Sequence, residues 1–251
     1  EVPWEEAPRF GIMSANPDGT IYEFAEKPKE PKSNLASMGI YVFTWSKLRK
    51  YLIDNENDEG ATKDFGKNII PAMLENKEKM VAYHFDGYWK DVGTIDSLWE
   101  ANMDVLDPKV PLDLLDDSWK IYSRNPVMPP HYAGPSSQIQ NSMVAEGCEI
   151  YGSVVNSVIS GGVVVEKGAT VKDSVILDGV RICEGAQVRY SILDAGTTVG
   201  RGACVGCERK NASGITLVGG GLTLPENAVI PDGVRADAAY VAALEQAREA
   251  V

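Results

Sequence analysis

Two short stretches hold the side chains whose types and spacing suit phosphate and sugar chemistry. In Glu26-Lys27-Pro28 a carboxylate and an ammonium stand side by side where a proline halts an extended run. Lysine holds a phosphate as a point charge, and glutamate accepts hydrogen bonds from sugar hydroxyls. The tripeptide also reads as a solvated pair in a lysine-rich loop, with Lys29 and Lys32 following, and taken alone it favours that plainer reading. In Tyr88-Trp89-Lys90-Asp91-Val92-Gly93-Thr94, Asp91 lies between an aromatic pair and a Gly-Thr helix start. A carboxylate there can bind Mg²⁺ beside phosphate oxygens, and the aromatics can stack on a sugar or exclude water. Equally, Trp89 can be core and Asp91 the cap of a turn. Asp64, before Phe65-Gly66-Lys67, reads most simply as a helix N-cap.

These residues need an α/β framework, and the first half has its pattern. Ile21–Glu26 alternates at period two, and Gly39-Ile-Tyr-Val-Phe43 is an apolar run suited to a buried strand. A helix begins after Asp64 and is kinked or restarted by Pro71. Another begins at the capping Thr94, with its apolar face at 95, 98, 99, 102/103 and 106. Strands and helices in alternation argue for an α/β layer.

The second half repeats. Val165-Glu-Lys-Gly-Ala-Thr-Val171, Ile182-Cys-Glu-Gly-Ala-Gln-Val188 and Val199-Gly-Arg-Gly-Ala-Cys-Val205 recur at 17-residue intervals, interleaved with Ser157, Ser174 and Ser191 at the same interval. An aliphatic residue about every six positions, with a small residue beside it, is the signature of a hexapeptide parallel β-helix with three faces per coil. Val144–Ile150 supplies an earlier coil, and Val218, Leu224 and Ile230 supply later ones. Prolines in 106–111 and 125–130 mark an extended linker. The organisation expected is residues 1–107 as α/β, 108–135 as linker, 136–235 as β-helix and 236–251 as a terminal helix covering its open end.

Composition narrows the function classes. The 251 residues carry 24 Lys+Arg against 36 Asp+Glu, a net charge of −12, a poor match to nucleic acid or an anionic membrane. Residues 1–120 hold −9 of that charge and all five tryptophans, whereas all four cysteines follow residue 147. Four scattered cysteines suit a reduced cytosolic protein better than a disulfide scaffold. The chain starts at Glu1-Val2-Pro3-Trp4, with neither an initiator Met nor the apolar region of a signal peptide, and reads as a cut through a longer polypeptide.

Five motifs follow one another in order: Phe10-Gly-Ile-Met, Phe24-Ala-Glu-Lys-Pro28, Ala36-Ser-Met-Gly-Ile-Tyr-Val-Phe43, Asp64-Phe-Gly-Lys-Asn-Ile-Ile-Pro71 and Tyr88–Thr94. Together with the repeats they resemble the bacterial glucose-1-phosphate adenylyltransferases (ADP-glucose pyrophosphorylases) of glycogen synthesis, over about Phe10 to Ile230. The resemblance implies a partial nucleotidyltransferase domain followed by a left-handed β-helix. It implies that Lys27 holds the phosphate of glucose 1-phosphate and Glu26 its hydroxyls, and that Ser37 contacts the same substrate. Asp64, Phe65 and Trp89 are similar to pocket-lining positions, and Asp91 to one of two carboxylates on a catalytic Mg²⁺. In that family the sugar phosphate attacks the α-phosphorus of ATP and diphosphate leaves, with no protein nucleophile. The family's Gly-Gly-x-Gly-Thr-Arg-Leu nucleotide loop is not in this chain, so ATP would be bound only through an N-terminal half, and the chain alone is expected to be inactive. Val218-Gly-Gly-Gly-Leu-Thr-Leu224 falls on the six-residue repeat and reads as a β-helix corner.

Other signals are plainer. Cys204-Val-Gly-Cys207 has metal-ligand spacing, but the four thiols do not converge by repeat position, so a zinc site is disfavoured. His84 and His131 sit in no triad-like setting. Arg209 and Lys210 read first as solvated corners, and by resemblance as part of an effector site. Competing functions are a regulatory paralogue, a sister enzyme using another nucleotide, and a hexapeptide acyltransferase, which the absence of histidine after residue 131 disfavours. A cytoplasmic homo-oligomer, tetrameric by resemblance, is expected.

Overall fold

In the computed structural model, which describes residues 1–114, 116–123 and 126–249, the chain divides into two units, Glu1–Trp89 and Lys90–Val251. In the first, β1 (Gly11–Ala15) and β2 (Ile21–Glu26) pair antiparallel, with Gly11 opposite Glu26. Phe10 and Ile12 are buried with Ala7 in one small core. Helix α1 (Trp45–Asn57) buries Tyr51 against Ile69 and Met73 in another. Between them the backbone of Phe65–Ile69 takes one turn of π-helix and continues as α2 (Ile70–Glu75), with Pro71 at its start. A proline is tolerated there because the first helical N–H groups have no partner anyway.

The run Gly39–Phe43 departs from expectation. It forms no strand, and Ile40 and Val42 are 73% and 99% exposed. An apolar run becomes an inner strand only between two neighbours, and among the described residues of this unit the β1–β2 sheet does not pair with it.

The second unit opens with α3 (Ile95–Asp104), capped at Thr94 as expected. A parallel β-solenoid of three six-stranded sheets follows. Thr170–Lys172 pairs with Gln187–Arg189, and Arg181–Ile182 with Thr198–Val199, each at a register of 17 residues. Val154, Val171, Val188 and Val205 therefore stack inward on one face, and Ile150, Val165, Ile182, Val199 and Leu224 on another, all at most 1% exposed. Each such side chain contributes about 1.5–3 kcal/mol of burial, so the periodic aliphatics are the main source of the coil's stability.

One coil is longer. Ser191 pairs with Thr216, 25 positions on, because residues 206–215 leave the coil and form a 3₁₀ turn at Arg209–Asn211. Thr216–Val218 and Thr223–Leu224 are consecutive solenoid strands, so the three glycines between them make a corner. Helix α4 (Ala238–Glu249) ends the unit, with Val241, Tyr240 and Leu244 on the solenoid core.

The two units divide earlier than the prolines suggest, because α3 places its apolar face on the solenoid. Trp99 is 3% exposed against Val175, Ile192 and Ile215, flanked by Ile95 and Met103. Leu115, Arg124 and Asn125 of the expected linker and residues 250–251 of the expected terminal helix lie outside the described residues. Among the described residues no helix is long and apolar enough to cross a membrane.

Candidate functional site

The site is built where β2 stops. Lys27 adopts a left-handed conformation, φ 48°, and its N–H donates to Phe10 O at 3.0 Å. That turn separates two adjacent charges: the Lys27 side chain is 66% exposed and that of Glu26 only 20%. Their closest approach, Nζ to Oε1, is 3.9 Å, too long for a hydrogen bond. The Glu26 carboxylate lies over two glycines. A Cβ built on Gly11 would stand 2.8 Å from Glu26 Oε2, and one built on Gly66 would overlap that oxygen. Among the described residues no donor hydrogen-bonds to this carboxylate.

Ser37 reaches the same place from the other side of β1. Ala36 bridges to Ile12, which lets the Ser37 N–H donate to Gly11 O at 2.8 Å. The Ser37 hydroxyl shares a 2.9 Å hydrogen bond with that of Tyr41 and accepts the Gly39 N–H at 3.3 Å. The Tyr41 ring stacks on Phe65, with centroids 5.9 Å apart and planes 15° off parallel. Phe65 opens the π turn, and Asp64 Oδ1 caps it by accepting the Lys67 N–H at 2.9 Å. The same Oδ1 borders Gly66, 3.4 Å from where its Cβ would be. Glu26, Gly66, Phe65, Tyr41, Ser37 and Gly11 thus close a ring of contacts, with Lys27 and Asp64 on its rim.

Three members of this ring, Gly11, Tyr41 and Gly66, and the nearby Lys63 are not legible as site residues in the sequence. Tyr41 was read only as part of an apolar run, and Gly66 not at all. Lys63, at φ 57°, donates its ammonium to the Asn55 and Glu56 carbonyls at 2.7 and 2.6 Å. It thereby ties the segment entering Asp64 to the C-terminal end of α1, where a cation is favoured. Only Tyr41 gave a usable signal, a hydroxyl four residues after Ser37.

Trp89 takes a supporting place. Its ring meets Phe10 edge-on at 5.5 Å and covers the small core behind β1. Asp91 belongs to the second unit. Its carboxylate folds over Gly93, 3.1 and 3.3 Å from where a Cβ there would lie. The neighbouring backbone is held firmly: Thr94 and Ser97 form a reciprocal capping box, and Lys90 pairs with Glu100 at 2.8 Å and Asp104 at 3.3 Å. Burial works to lower the Lys90 pKa, but the two acids outweigh it and hold the ammonium above its ordinary value. As a Mg²⁺ ligand Asp91 offers one hard oxygen donor of the right kind. Among the described residues no group of three or more His, Cys, Asp or Glu converges, so these side chains do not compose a metal site by themselves. The four cysteines are all free thiols.

Arg209 is exposed, and it also packs on two rings. Its guanidinium lies 4.6 Å from the centre of the Trp99 ring and 5.8 Å from that of Tyr190. Lys210 lines a shallow depression with Lys172, Asp173 and Glu208.

Residues 1–108 match the Nucleotidyl transferase family, and residues 130–224 the family described as GlmU-like, C-terminal hexapeptide. Curated relatives match across the join between them. The chain is 58% identical over 172 residues to the glucose-1-phosphate adenylyltransferase of Clostridium beijerinckii, covering 68% of this chain and 45% of that protein. It is equally similar, at 58%, to those of Geobacillus stearothermophilus and Bacillus subtilis, again over 68% of this chain and 44% and 45% of theirs. Over the matched residues the chain is similar to glucose-1-phosphate adenylyltransferases. It spans less than half the length of these curated relatives. The family matches end and resume at the proline-rich segment, whereas α3 lies within the transferase match and is packed on the solenoid.

Proposed function

We propose that this chain is the sugar-phosphate-binding part of a glucose-1-phosphate adenylyltransferase, which joins the adenylyl group of ATP to glucose 1-phosphate and releases diphosphate. The observation that carries this reading is the Glu26–Lys27 pair: a half-buried carboxylate that accepts no hydrogen bond among the described residues, 3.9 Å from an exposed ammonium that is within ion-pair range but beyond hydrogen-bond reach. Such a carboxylate has free acceptor capacity, and sugar hydroxyls are donors of the matching kind. The phosphate is the matching charge for Lys27. Ser37 and Tyr41 offer hydroxyls beside the ring, and Phe65 an apolar wall.

In the reaction a phosphate oxygen of the sugar phosphate forms a bond to the α-phosphorus of ATP as the bond to the diphosphate oxygen breaks. Lys27 holds the attacking phosphate and spreads its charge, while Glu26 fixes the sugar so that the oxygen points at phosphorus. Mg²⁺ neutralises phosphate charge when bound, and Asp91 would be one of its ligands. The working compartment is the cytosol, in keeping with four free thiols. A homo-oligomer, tetrameric by the resemblance, accords with exposed large apolar residues such as Val42 and Tyr83. Arg209 and Lys210 would belong to an effector region, a role supported by Lys210 having no ion pair among the described residues.

The test is calorimetric titration of the chain with glucose 1-phosphate, compared with Lys27→Ala. Loss of binding in the variant, with weak binding of glucose alone, is expected. Equal binding by both proteins would sink the assignment. The pure chain should form no ADP-glucose, and measurable synthesis would show that it carries an ATP site of its own.

A further inference from the structure

We infer that Gly66 is a positioning residue for Glu26: its missing side chain is what lets the carboxylate stand clear of Lys27. The inference rests on the sugar-phosphate reading of the site and adds a requirement that reading does not contain. Three observations carry it. A Cβ on Gly66 would overlap Glu26 Oε2 and come within 2.9 Å of its Cδ. A Cβ on Gly11 would stand 2.8 Å from the same oxygen, so the carboxylate is in close contact with two glycine backbones. The nearest cation, Lys27, waits at 3.9 Å, just beyond hydrogen-bond reach.

Space, not backbone conformation, is the reason for glycine here. Gly66 is absent from the positions with positive φ, and it lies inside a helical turn. Alanine fits that backbone and is intrinsically the better helix former, so a methyl group at 66 costs little by itself. Its effect falls on Glu26. Displaced from its seat, the carboxylate closes onto Lys27, and the two charges satisfy each other. The sugar then loses its acceptor and the phosphate its cation in one step. Gly66 thereby keeps two adjacent, opposite charges apart for two parts of one ligand.

The test is a double-mutant cycle on the chain, with calorimetry against glucose 1-phosphate and thermal unfolding as readouts. Gly66→Ala should weaken binding by about tenfold or more, the scale of losing a charged hydrogen bond, while leaving the unfolding temperature unchanged or raised. Glu26→Asp withdraws the carboxylate by one methylene. In that background Gly66→Ala should weaken binding by less than about threefold, because the overlap is gone. Wild-type affinity in Gly66→Ala, or the same loss in both backgrounds, overturns the inference and leaves the site reading standing. A wild-type chain that does not bind glucose 1-phosphate overturns the site reading and this inference with it. If Gly66→Ala alone unfolds the first unit, refolding in the Glu26→Asp background supports the inference, and failure there overturns it.

Discussion

Ser37 and Tyr41 join their hydroxyls at 2.9 Å across a four-residue loop that has no regular secondary structure. The bond connects the segment that lies beside β1 to the aromatic pair Tyr41–Phe65, and so couples the backbone side of the ring to its apolar wall. Tyr41→Phe keeps the stack and removes only the hydroxyl. Glucose 1-phosphate should bind about fivefold more weakly, as one neutral hydrogen bond predicts, with stability changed by less than about 0.5 kcal/mol because both side chains are partly exposed. Calorimetry and thermal unfolding read the two quantities. Unchanged affinity would remove Tyr41 from the site.

The solenoid was legible in the sequence because its constraint is periodic: each coil repeats one inward position, so the 17-residue recurrence gives the strand register directly. The longer coil was not legible, since residues 206–215 leave the repeat without disturbing the aliphatics on either side of it. Gly39–Phe43 shows the opposite limit. Its side chains state what they would bury, but not which neighbours lie beside them. At the site, Glu26, Lys27 and Ser37 were found through local motifs. Gly66 escaped because its role lies in a side chain it lacks, and that is visible only once Glu26 is placed against it.

Trp99 fastens α3 to the solenoid. Its ring is buried, its indole N–H donates to Asp173 O at 2.8 Å, and Tyr190 meets it edge-on at 5.0 Å. Trp99→Ala should cost about 3–5 kcal/mol, the usual range for truncating a buried aromatic. The loss should be local: hydrogen exchange ought to show α3 amides unprotected while the coil strands keep their protection. Uniform loss across both would mean that α3 and the solenoid unfold as one.

A line of serines runs inside one corner of the coils. The Ser174 N–H donates to Ser157 Oγ at 3.1 Å, and the Ser191 N–H to Ser174 Oγ at 3.2 Å. Each of the three hydroxyls also donates to a carbonyl two residues back, and all three residues are fully buried. Ser174→Ala strands the Ser191 N–H away from water, whereas the Lys172 carbonyl keeps the Tyr190 N–H at 3.0 Å. The expected destabilisation is about 1–3 kcal/mol, the cost of one desolvated donor. The half-buried Ser142 at the start of the line, which accepts the Ser157 N–H at 3.1 Å, should tolerate alanine with a smaller loss. Chemical denaturation of the two variants checks the difference, and equal midpoints would deny the ladder any energetic role.

The excursion at residues 206–215 is held by charge. Glu208 accepts a 2.6 Å hydrogen bond from Lys172 and pairs with Arg189 at 3.3 Å. The Lys172 bond is the chief reason that the Glu208 carboxyl titrates below its ordinary value of 4.5; burial opposes the shift and is outweighed. A carboxyl depressed by folding stabilises the fold above its unfolded pKa, and that contribution disappears as pH falls through the lowered value. Acidification below about pH 4.5 should therefore loosen the turn that carries Arg209 over Trp99, and the Trp99 indole N–H resonance should shift with it. Glu208→Gln should flatten that part of the profile. Because Lys172 and Glu208 are both more than a third exposed, the effect should be modest and should shrink at high salt. An indole shift of the same size and midpoint in Glu208→Gln would assign the transition to other carboxylates.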